Sequence, residues 1–213
     1  MNIVFFAVGD EHAAMAELAA EAARITNPDA ELYVLTDVHT QFRTLTPVRG
    51  HCSKETLMYD RTIAQYHFLR DRREAIFLDS DCVVQRDLTG AFTGPVAVTE
   101  RIPPKNAAGQ IYNGGVLYGS GHAGVAFWLS WCELYWLIQR DAWAWYGDQV
   151  LLAKLVPNYT STQVYPSHTH NLVLSSAVEI DAHPDAYIVH YKGKRKHWMR
   201  DHVEAIKQMK VAA

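Results

Sequence analysis

The chain has 213 residues and a mass of 24.1 kDa; hydrophobic residues make up 49%, charged residues 20%, and the formal net charge is −3. These values are typical of one soluble globular domain with a full hydrophobic core, and they exclude a disordered chain and a small disulfide scaffold. Three widely spaced cysteines without a CxxC pair (Cys52, Cys82 and Cys132) indicate reduced thiols and predict a cytoplasmic location.

Two kinds of segment, a signal peptide and a transmembrane helix, are not expected. The N-terminal residues lack a basic leader and a cleavage site, so no signal peptide is predicted. The most apolar stretch, Val125 to Ile138, contains Ser130 and Glu133 and is shorter than the roughly 20 residues of a membrane-spanning helix. We therefore predict no transmembrane segment.

Short apolar segments, typical of buried strands, alternate with amphipathic helical segments along the chain. The pattern predicts strands at Ile3–Val8, Leu32–Thr36, Ala75–Leu78, Val96–Val98, Val116–Tyr118, Thr162–Tyr165, Val178–Ile180 and Ala186–His190. It predicts helices over Met15–Ile25, Ser53–Leu69, His122–Arg140, Asp148–Leu155 and from Met199 onward. Such alternation is typical of βαβ units, so we expect an α/β fold with a mostly parallel central sheet flanked by helices, in a single domain.

Two of these segments carry further expectations. Arg101 to Gln110 (RIPPKNAAGQ) has the polar, proline-rich composition of a mobile loop. The long aromatic helix from His122 to Arg140 is expected to be a core element rather than a cofactor site. Its predicted buried face is formed by Val125, Trp128, Leu129, Cys132, Trp136 and Leu137.

The segment Asp79-Ser80-Asp81 follows a buried strand directly. In open α/β sheets ligands bind at the carboxyl ends of strands, so both carboxylates are expected to face a crevice. Two neighbouring carboxylates favour a shared divalent cation with oxygen ligands. A solvated turn is the alternative, but the apolar residues on both sides (Ile76-Phe77-Leu78 and Cys82-Val83-Val84) argue against it.

The segment from His190 to Trp198 places an imidazole at another strand end. His190 could complete the ligands of a metal held by the two aspartates. Gly193 permits close approach of the backbone to a ligand, and Lys196 can neutralise a phosphate. A solvated basic turn is the alternative for this segment. Asn113-Gly114-Gly115 and Asp148-Gln149 could likewise be ligand-binding loops, or a tight turn and a helix cap.

The charge of the chain is unevenly distributed. Residues 190–213 contain seven basic and two acidic residues, a net +5, which leaves −8 for the remaining chain. The basic segment favours an anionic ligand, an acidic partner or peripheral contact with a membrane surface. The net acidity of the whole chain disfavours nucleic acid as a partner, although the basic segment leaves it open.

The order of these segments resembles the retaining glycosyltransferase family with a GT-A (Rossmann-like) fold that contains glycogenin and bacterial lipopolysaccharide galactosyltransferases. The resemblance runs from the first strand to Trp198 and is carried by Leu-Asp-x-Asp, Asn-x-Gly-Val, Asp-Gln and His-x-x-Gly-x-x-Lys-x-Trp. It implies one domain over 1–213, with a nucleotide-binding half at 1–104 and a sugar and acceptor half with the basic segment at 105–213.

The resemblance also implies roles for individual residues. Asp79, Asp81 and His190 would hold manganese, or magnesium, that bridges the diphosphate of a nucleotide-sugar, most often a UDP-sugar. Asn113, Asp148 and Gln149 would line the sugar and form the catalytic set. The remaining donor-binding residues would be Ala7, Val8, Asp10, Arg61, Ser80, Gly114, Gly115, Gly193 and Lys196.

The resemblance therefore predicts a metal-dependent glycosyltransferase that moves a sugar to a hydroxyl of an unidentified acceptor such as a glycan or glycolipid, with retention of configuration. Trp143, Trp145 and Tyr146 could stack on an acceptor sugar or belong to the core. Two alternatives stay open: a metal-dependent nucleotidyltransferase, disfavoured by the acidic Gly9-Asp10-Glu11 turn, and a non-catalytic binding module that docks through its basic segment. No GxxxxGK[ST] sequence is present, so a P-loop NTPase is not supported.

Overall fold

The computed structural model describes residues 1–105, 109–176 and 183–211. The strands are β1 (Asn2–Phe6), β2 (Glu31–Thr36), β3 (Thr46–Arg49), β4 (Glu74–Asp79), β5 (Cys82–Val84), β6 (Val96–Lys105), β7 (Gln110–Ser120), β8 (Thr162–Tyr165) and β9 (Ile188–His190). The helices are α1 (Asp10–Thr26), α2 (Leu57–Arg72), α3 (Gly121–Leu134), α4 (Gly147–Leu155), α5 (Ser167–His170) and α6 (Met199–Val211).

Seven strands form one central sheet in the order β3-β2-β1-β4-β7-β6-β8. All pairs are parallel except those that β7 makes with β4 and β6, so β7 alone runs against the other six strands. β5 and β9 pair antiparallel in a second, two-stranded sheet. The predicted α/β fold with a mostly parallel sheet and flanking helices is confirmed.

The core lies on both faces of the central sheet. On one face α1 packs through buried alanines (Ala16, Ala19, Ala20 and Ala23), whose small side chains let the helix approach the sheet closely. On the other face an aromatic cluster from α3 (Phe127, Trp128 and Trp131) packs against Phe77 of β4. Because both faces are covered, the central strands β1 and β4 are almost continuously apolar.

The long aromatic helix is shorter than predicted. α3 ends at Leu134, and two 3-10 turns follow, Tyr135–Leu137 and Arg140–Trp143. These turns bring Trp143 back onto the Tyr135 ring, with 5.7 Å between the ring centroids. The predicted buried face is therefore wrong at three positions, because Leu129, Trp136 and Leu137 are 41%, 67% and 73% exposed.

The predicted mobile loop is largely β-structure. β6 continues to Lys105 and β7 begins at Gln110, and these two residues pair with one another. The ladder between β6 and β7 has register shifts at Val98/Thr99 and at Glu100/Lys105. Pro103 and Pro104 fall within the second irregular stretch, where they lack the N–H that a regular ladder needs.

Other boundaries also differ from the prediction. α2 begins at Leu57 and not at Ser53, whose backbone N–H instead donates to the Asp60 carboxylate at 2.9 Å. The edge strand β3 was not predicted, because its sequence Thr-Pro-Val-Arg lacks an apolar alternation. The predicted strand Val178–Ile180 lies outside the described residues.

The three cysteines are free thiols, as predicted, with Cys82 and Cys132 buried. Among the described residues, no helix has the length and apolar character needed to cross a membrane.

Candidate active site

A cavity of about 680 Å³ lies at the carboxyl edge of the central sheet. β1 and β4 are parallel neighbours, so Ala7 and Val8 after β1 meet Asp79 at the end of β4 on the same edge. β7 runs in the opposite direction, with Val116 opposite Leu78, and its early residues Asn113 to Gly115 therefore reach this edge as well.

The two-stranded sheet brings the predicted metal ligands together. β5 pairs with β9 so that Cys82 lies opposite His190, which places the imidazole beside the Asp79-Ser80-Asp81 segment. His190 Nε2 lies 3.2 Å from Asp81 Oδ1 and 3.8 Å from Asp79 Oδ2. The Asp79-Ser80-Asp81 segment and His190, which are distant in sequence, thus converge on one side of the cavity.

A directed chain of hydrogen bonds fixes which ring nitrogen of His190 faces the aspartates. The Thr99 hydroxyl donates to the Val116 carbonyl at 3.4 Å, so it accepts from Asn171 Nδ2 at 2.8 Å. The Asn171 amide oxygen then faces His190 Nδ1 at 2.9 Å and accepts its proton. His190 Nε2 is left to face the carboxylates, as in metal sites where an outer partner orients the ligating imidazole.

This arrangement requires positive charge between the imidazole and the carboxylates. An unprotonated Nε2 and a carboxylate oxygen at 3.2 Å are both acceptors and repel each other. A proton on Nε2, or a metal ion held by the three groups, supplies the missing charge. The donor set of two carboxylates and one imidazole fits a divalent ion such as Mn²⁺.

Cys82 also lies within this group. Potential ligand atoms of Asp81, Cys82 and His190 lie within 4.8 Å of one another. However, burial raises the pKa of the Cys82 thiol well above its ordinary value, and the thiol donates to the Gly115 carbonyl at 3.5 Å. A neutral, buried thiol is a poor ligand for a hard ion, so Cys82 is a packing residue in this geometry.

Lys196 and Gly193 line the cavity from the 3-10 segment Gly193–Trp198. Lys196 Nζ is 3.3 Å from Asp81 Oδ2. Burial by itself would raise the pKa of Asp81, but His190 and Lys196 outweigh it and lower the pKa of this carboxyl. Gly193 has φ +61°, a conformation that glycine adopts without strain.

Arg61 bridges two carboxylates beneath the cavity. It lies in the first turns of α2 and is only 3% exposed. Its Nη1 donates to Asp79 Oδ1 at 2.7 Å and its Nη2 donates to Asp148 Oδ2 at 2.5 Å. Arg61 therefore holds the carboxylate at the end of β4 and the carboxylate at the start of α4 in fixed positions.

Glycine is required at Gly114 and Gly115 because neighbouring side chains approach the backbone closely there. A Cβ at Gly114 would lie 2.8 Å from Arg61 Nη2, and a Cβ at Gly115 would lie 2.7 Å from Asp79 Oδ2. Neither position has room for a side chain without displacing the buried charged groups. The Asn113 side chain folds over this segment, with its Oδ1 accepting from the Gly115 N–H at 3.0 Å.

Gln149 lies beside Asp148 at the start of α4. Its amide oxygen accepts a hydrogen bond from Arg101 Nη1 at 2.6 Å. Trp145 and Tyr146 precede this helix, line the cavity and are 75% and 39% exposed. Trp143 is buried and belongs to the core. Of the three aromatics, only Trp145 and Tyr146 are placed to contact a ligand.

Most residues that the sequence pointed to line this one cavity. They are Ala7, Val8, Arg61, Asp79, Ser80, Asp81, Asn113, Gly114, Gly115, Asp148, Gln149, His190, Gly193 and Lys196. Asp10 is the exception: it is the exposed first residue of α1 and does not line the cavity.

Sequence reasoning missed several residues of the cavity wall. They are Phe6, His12, Leu57, Met58 and Lys192. His12 has a signal that could have been used, since it lies one turn into a helix that follows a strand end, and its ring contacts Ser80 Oγ at 3.1 Å. Arg101 and Gln110 also line the cavity, although the sequence assigned them to a mobile loop.

Several solved glycosyltransferases share this architecture. The galactosyltransferase LgtC, solved in complex with donor and acceptor sugar analogues, superposes with a TM-score of 0.64 at 16% identity over 100% of this chain and 96% of that one. An active-site mutant of LgtC gives a TM-score of 0.67 at 17% identity with the same coverage.

Two further structures match over most of this chain. A glycosyltransferase involved in glycosylation of the major capsid of PBCV-1 has a TM-score of 0.60 at 16% identity, covering 96% of this chain and 100% of that one. GlyE of Streptococcus pneumoniae TIGR4 has a TM-score of 0.62 at 16% identity, covering 99% of this chain and 60% of that one. No protein-family model matches the chain, and no curated protein matches it in sequence. At these identities the likeness establishes the fold: the chain has the GT-A fold of the LgtC-like glycosyltransferases.

Proposed function

We propose that the protein is a metal-dependent glycosyltransferase. Its donor is a nucleotide-sugar, and we favour a UDP-sugar. The sugar is moved to a hydroxyl group of a glycan or glycolipid acceptor. We also propose retention of configuration, which rests on the resemblance of the sequence segments alone. The free thiols support a cytoplasmic location, since reducing compartments preserve them.

One observation carries the proposal. His190 Nε2, oriented by Asn171, faces Asp79 and Asp81 at 3.8 and 3.2 Å, in the cavity of a GT-A fold. A binding module without chemistry gives no reason for two carboxylates and an oriented imidazole to converge in this cavity. A site for a divalent ion and a diphosphate explains both the convergence and the orientation of the ring.

The reaction needs stabilisation of the negative charge that develops on the departing nucleoside diphosphate. Mn²⁺ or Mg²⁺ held by Asp79, Asp81 and His190 would supply part of this positive charge when bound. Lys196 supplies the rest from the chain itself, because it lines the cavity with its ammonium group close to Asp81.

Other residues position the sugar. Gly114 and Gly115 let the backbone of β7 pack directly against Arg61, Asp148 and His190, because any Cβ there would occupy the space of these side chains. Gln149 presents its amide to the cavity with the oxygen fixed by Arg101. Asp148, held by Arg61, faces the same space. These groups form a rigid wall, which favours a single reactive orientation.

The test measures release of UDP from UDP-sugars by the purified protein, with Mn²⁺ and with EDTA. We expect turnover with the metal and at least about a 100-fold loss in Asp81→Asn, because a neutral amide removes a charged ligand. Asp29→Asn is the matched control, since Asp29 is exposed in the turn between α1 and β2, away from the cavity. Equal turnover of wild type, EDTA-treated protein and Asp81→Asn would contradict the metal assignment.

The products separate this proposal from its alternatives. Release of UDP indicates glycosyl transfer to water or acceptor, whereas release of pyrophosphate would indicate nucleotidyl transfer. Absence of UDP binding by calorimetry with Mn²⁺ would favour a binding module. The anomer first released on hydrolysis, followed by NMR, tests retention.

A further inference from the structure

Two cationic side chains in the cavity have no carboxylate partner. Four cationic side chains line it, and two of these, Arg61 and Lys196, are paired with aspartates. Within residues 1–105, 109–176 and 183–211, neither Arg101 nor Lys192 has a carboxylate oxygen within 4 Å. Their positive charges are therefore available to a ligand.

Arg101 has unused hydrogen-bonding capacity. Its Nη1 donates to the neutral amide oxygen of Gln149 at 2.6 Å, while its Nε is buried without a partner among the described residues. A guanidinium carries five N–H donors in a planar fork that matches a carboxylate or phosphate. Because the guanidinium lines the cavity, the N–H groups that are neither bonded to Gln149 nor buried are available to an anionic acceptor there.

Lys192 lies near enough to act on the same space. It follows His190 by two residues and is partly buried in the cavity wall. Two cationic side chains that line one cavity, and that form no ion pair among the described residues, indicate a place where an anion can bind.

Charge balance supports the same conclusion. The cavity is lined by four cationic side chains and by three carboxylates, those of Asp79, Asp81 and Asp148. A divalent metal ion and a diphosphate that carries two negative charges cancel each other. One positive charge stays unbalanced after the donor's diphosphate is bound, because Arg61 offsets only one of its two carboxylates while Arg101 and Lys192 contribute two positive charges.

We propose that Arg101 and Lys192 form a subsite for an anionic group, a carboxylate or a phosphate, carried by the sugar that occupies the cavity beside Gln149. The proposal rests on the proposed glycosyltransferase function and narrows its substrate class to an acidic sugar. The acidic group belongs either to the donor sugar, as in a uronic acid, or to the acceptor.

The experiment compares neutral and acidic ligands by calorimetry in the presence of Mn²⁺. The donor arm uses UDP-glucose and UDP-glucuronate. The acceptor arm uses protein saturated with UDP and adds methyl glucoside, methyl glucuronide or glucose 6-phosphate. We expect the acidic ligand to bind about 10- to 100-fold more tightly than its neutral counterpart in one arm, the range of one or two charge-assisted hydrogen bonds.

Substitutions then assign the preference to the subsite. Arg101→Gln and Lys192→Gln should each reduce the preference to about threefold or less, and Arg101→Lys should keep part of it, because it retains the charge. Lys194→Gln is the matched control: it removes one exposed positive charge of the same segment, does not line the cavity, and should leave the preference unchanged. Thermal unfolding of each variant confirms that it is folded.

The outcomes distinguish the two proposals. If wild type binds UDP but shows no preference for the acidic ligand in either arm, the subsite is wrong and the proposed function stands. A preference that persists in both Arg101→Gln and Lys192→Gln also overturns the subsite. If wild type does not bind UDP with Mn²⁺, the proposed function fails, and the acidic-sugar proposal fails with it.

Discussion

Glu17 and Asp148 are both buried carboxylates, and the protein treats them in opposite ways. On α1, Glu17 Oε1 accepts from the backbone N–H groups of Arg43 and Thr44 at 2.5 and 2.9 Å, and Oε2 accepts from the Thr44 hydroxyl. At the start of α4, Asp148 Oδ2 binds Arg61, whereas Oδ1 has no hydrogen-bond partner among the described residues.

The pKa values of the two groups differ in direction accordingly. Burial by itself would raise the pKa of Glu17, but the hydrogen bonds from Thr44 and Arg43 outweigh it, so its pKa lies below the ordinary value. Burial raises the pKa of Asp148, and Arg61 lowers it only in part. A carboxylate whose oxygens are all hydrogen-bonded stabilises the fold. A carboxylate in a cavity with an oxygen that lacks a hydrogen bond is typical of a site that acts on a ligand.

The largest expected effect on stability comes from removing Arg61, the cation that pairs with Asp148. Arg61→Met leaves the buried carboxylate of Asp148 and the partly exposed carboxylate of Asp79 without their cation, and should lower the free energy of unfolding by about 3–5 kcal/mol. Arg70→Met is the control, because Arg70 pairs with Asp71 on the surface and should cost about 0–1 kcal/mol. Urea denaturation measures both, and similar losses would contradict a structural role for the buried bridge.

The next effect separates function from stability at Asp148 itself. Burial raises the pKa of Asp148, and Arg61 keeps its ion pair with Asp79 in Asp148→Asn, so this variant should lose much less stability than Arg61→Met. UDP-sugar turnover should nevertheless fall about 100-fold or more, as when an oriented polar group is removed from a reacting centre. Parallel loss of melting temperature and turnover would show that Asp148 is only a structural residue.

The smallest effect concerns Glu17. Glu17→Gln weakens charge-assisted hydrogen bonds to Thr44 and Arg43 and should cost about 1.5–3 kcal/mol at neutral pH, without changing kcat per folded molecule. The folded-state pKa is depressed, so the wild-type advantage is full above the ordinary pKa of 4.5 and disappears as the pH falls below it. Urea titrations at pH 7 and at decreasing acidic pH measure this; Glu21→Gln, on the same helix but exposed, serves as control. A cost that does not change with pH would contradict the assignment.

Much of the fold could be predicted because its signals are local. The apolar runs of β1 and β4 and the acidic residues directly after β4 identify strand ends, and parallel strand ends meet at one edge of a sheet. The resemblance of the segment order to the glycosyltransferase family then implied that Asp79, Asp81 and His190 lie together, and the structure brings them together.

The remaining features depend on tertiary packing that no local pattern reports. Apolar periodicity could not show where α3 ends, because its end is set by Trp143 folding back onto Tyr135. Arg101 was assigned to a loop because its neighbours are prolines, yet an irregular ladder with β7 keeps it in a strand. Asn171, which orients His190, lies outside any periodic segment and has no sequence signal.

One strand links the two ends of the cavity. Thr99, which supports Asn171 and through it the ring of His190, and Arg101, which holds Gln149, lie two residues apart on β6. A slip of this strand by one residue would disturb the imidazole and the guanidinium together. Changes to the specificity of this cavity are therefore restricted to exchanging side chains, since a shift of the backbone register would displace His190 and Gln149 together.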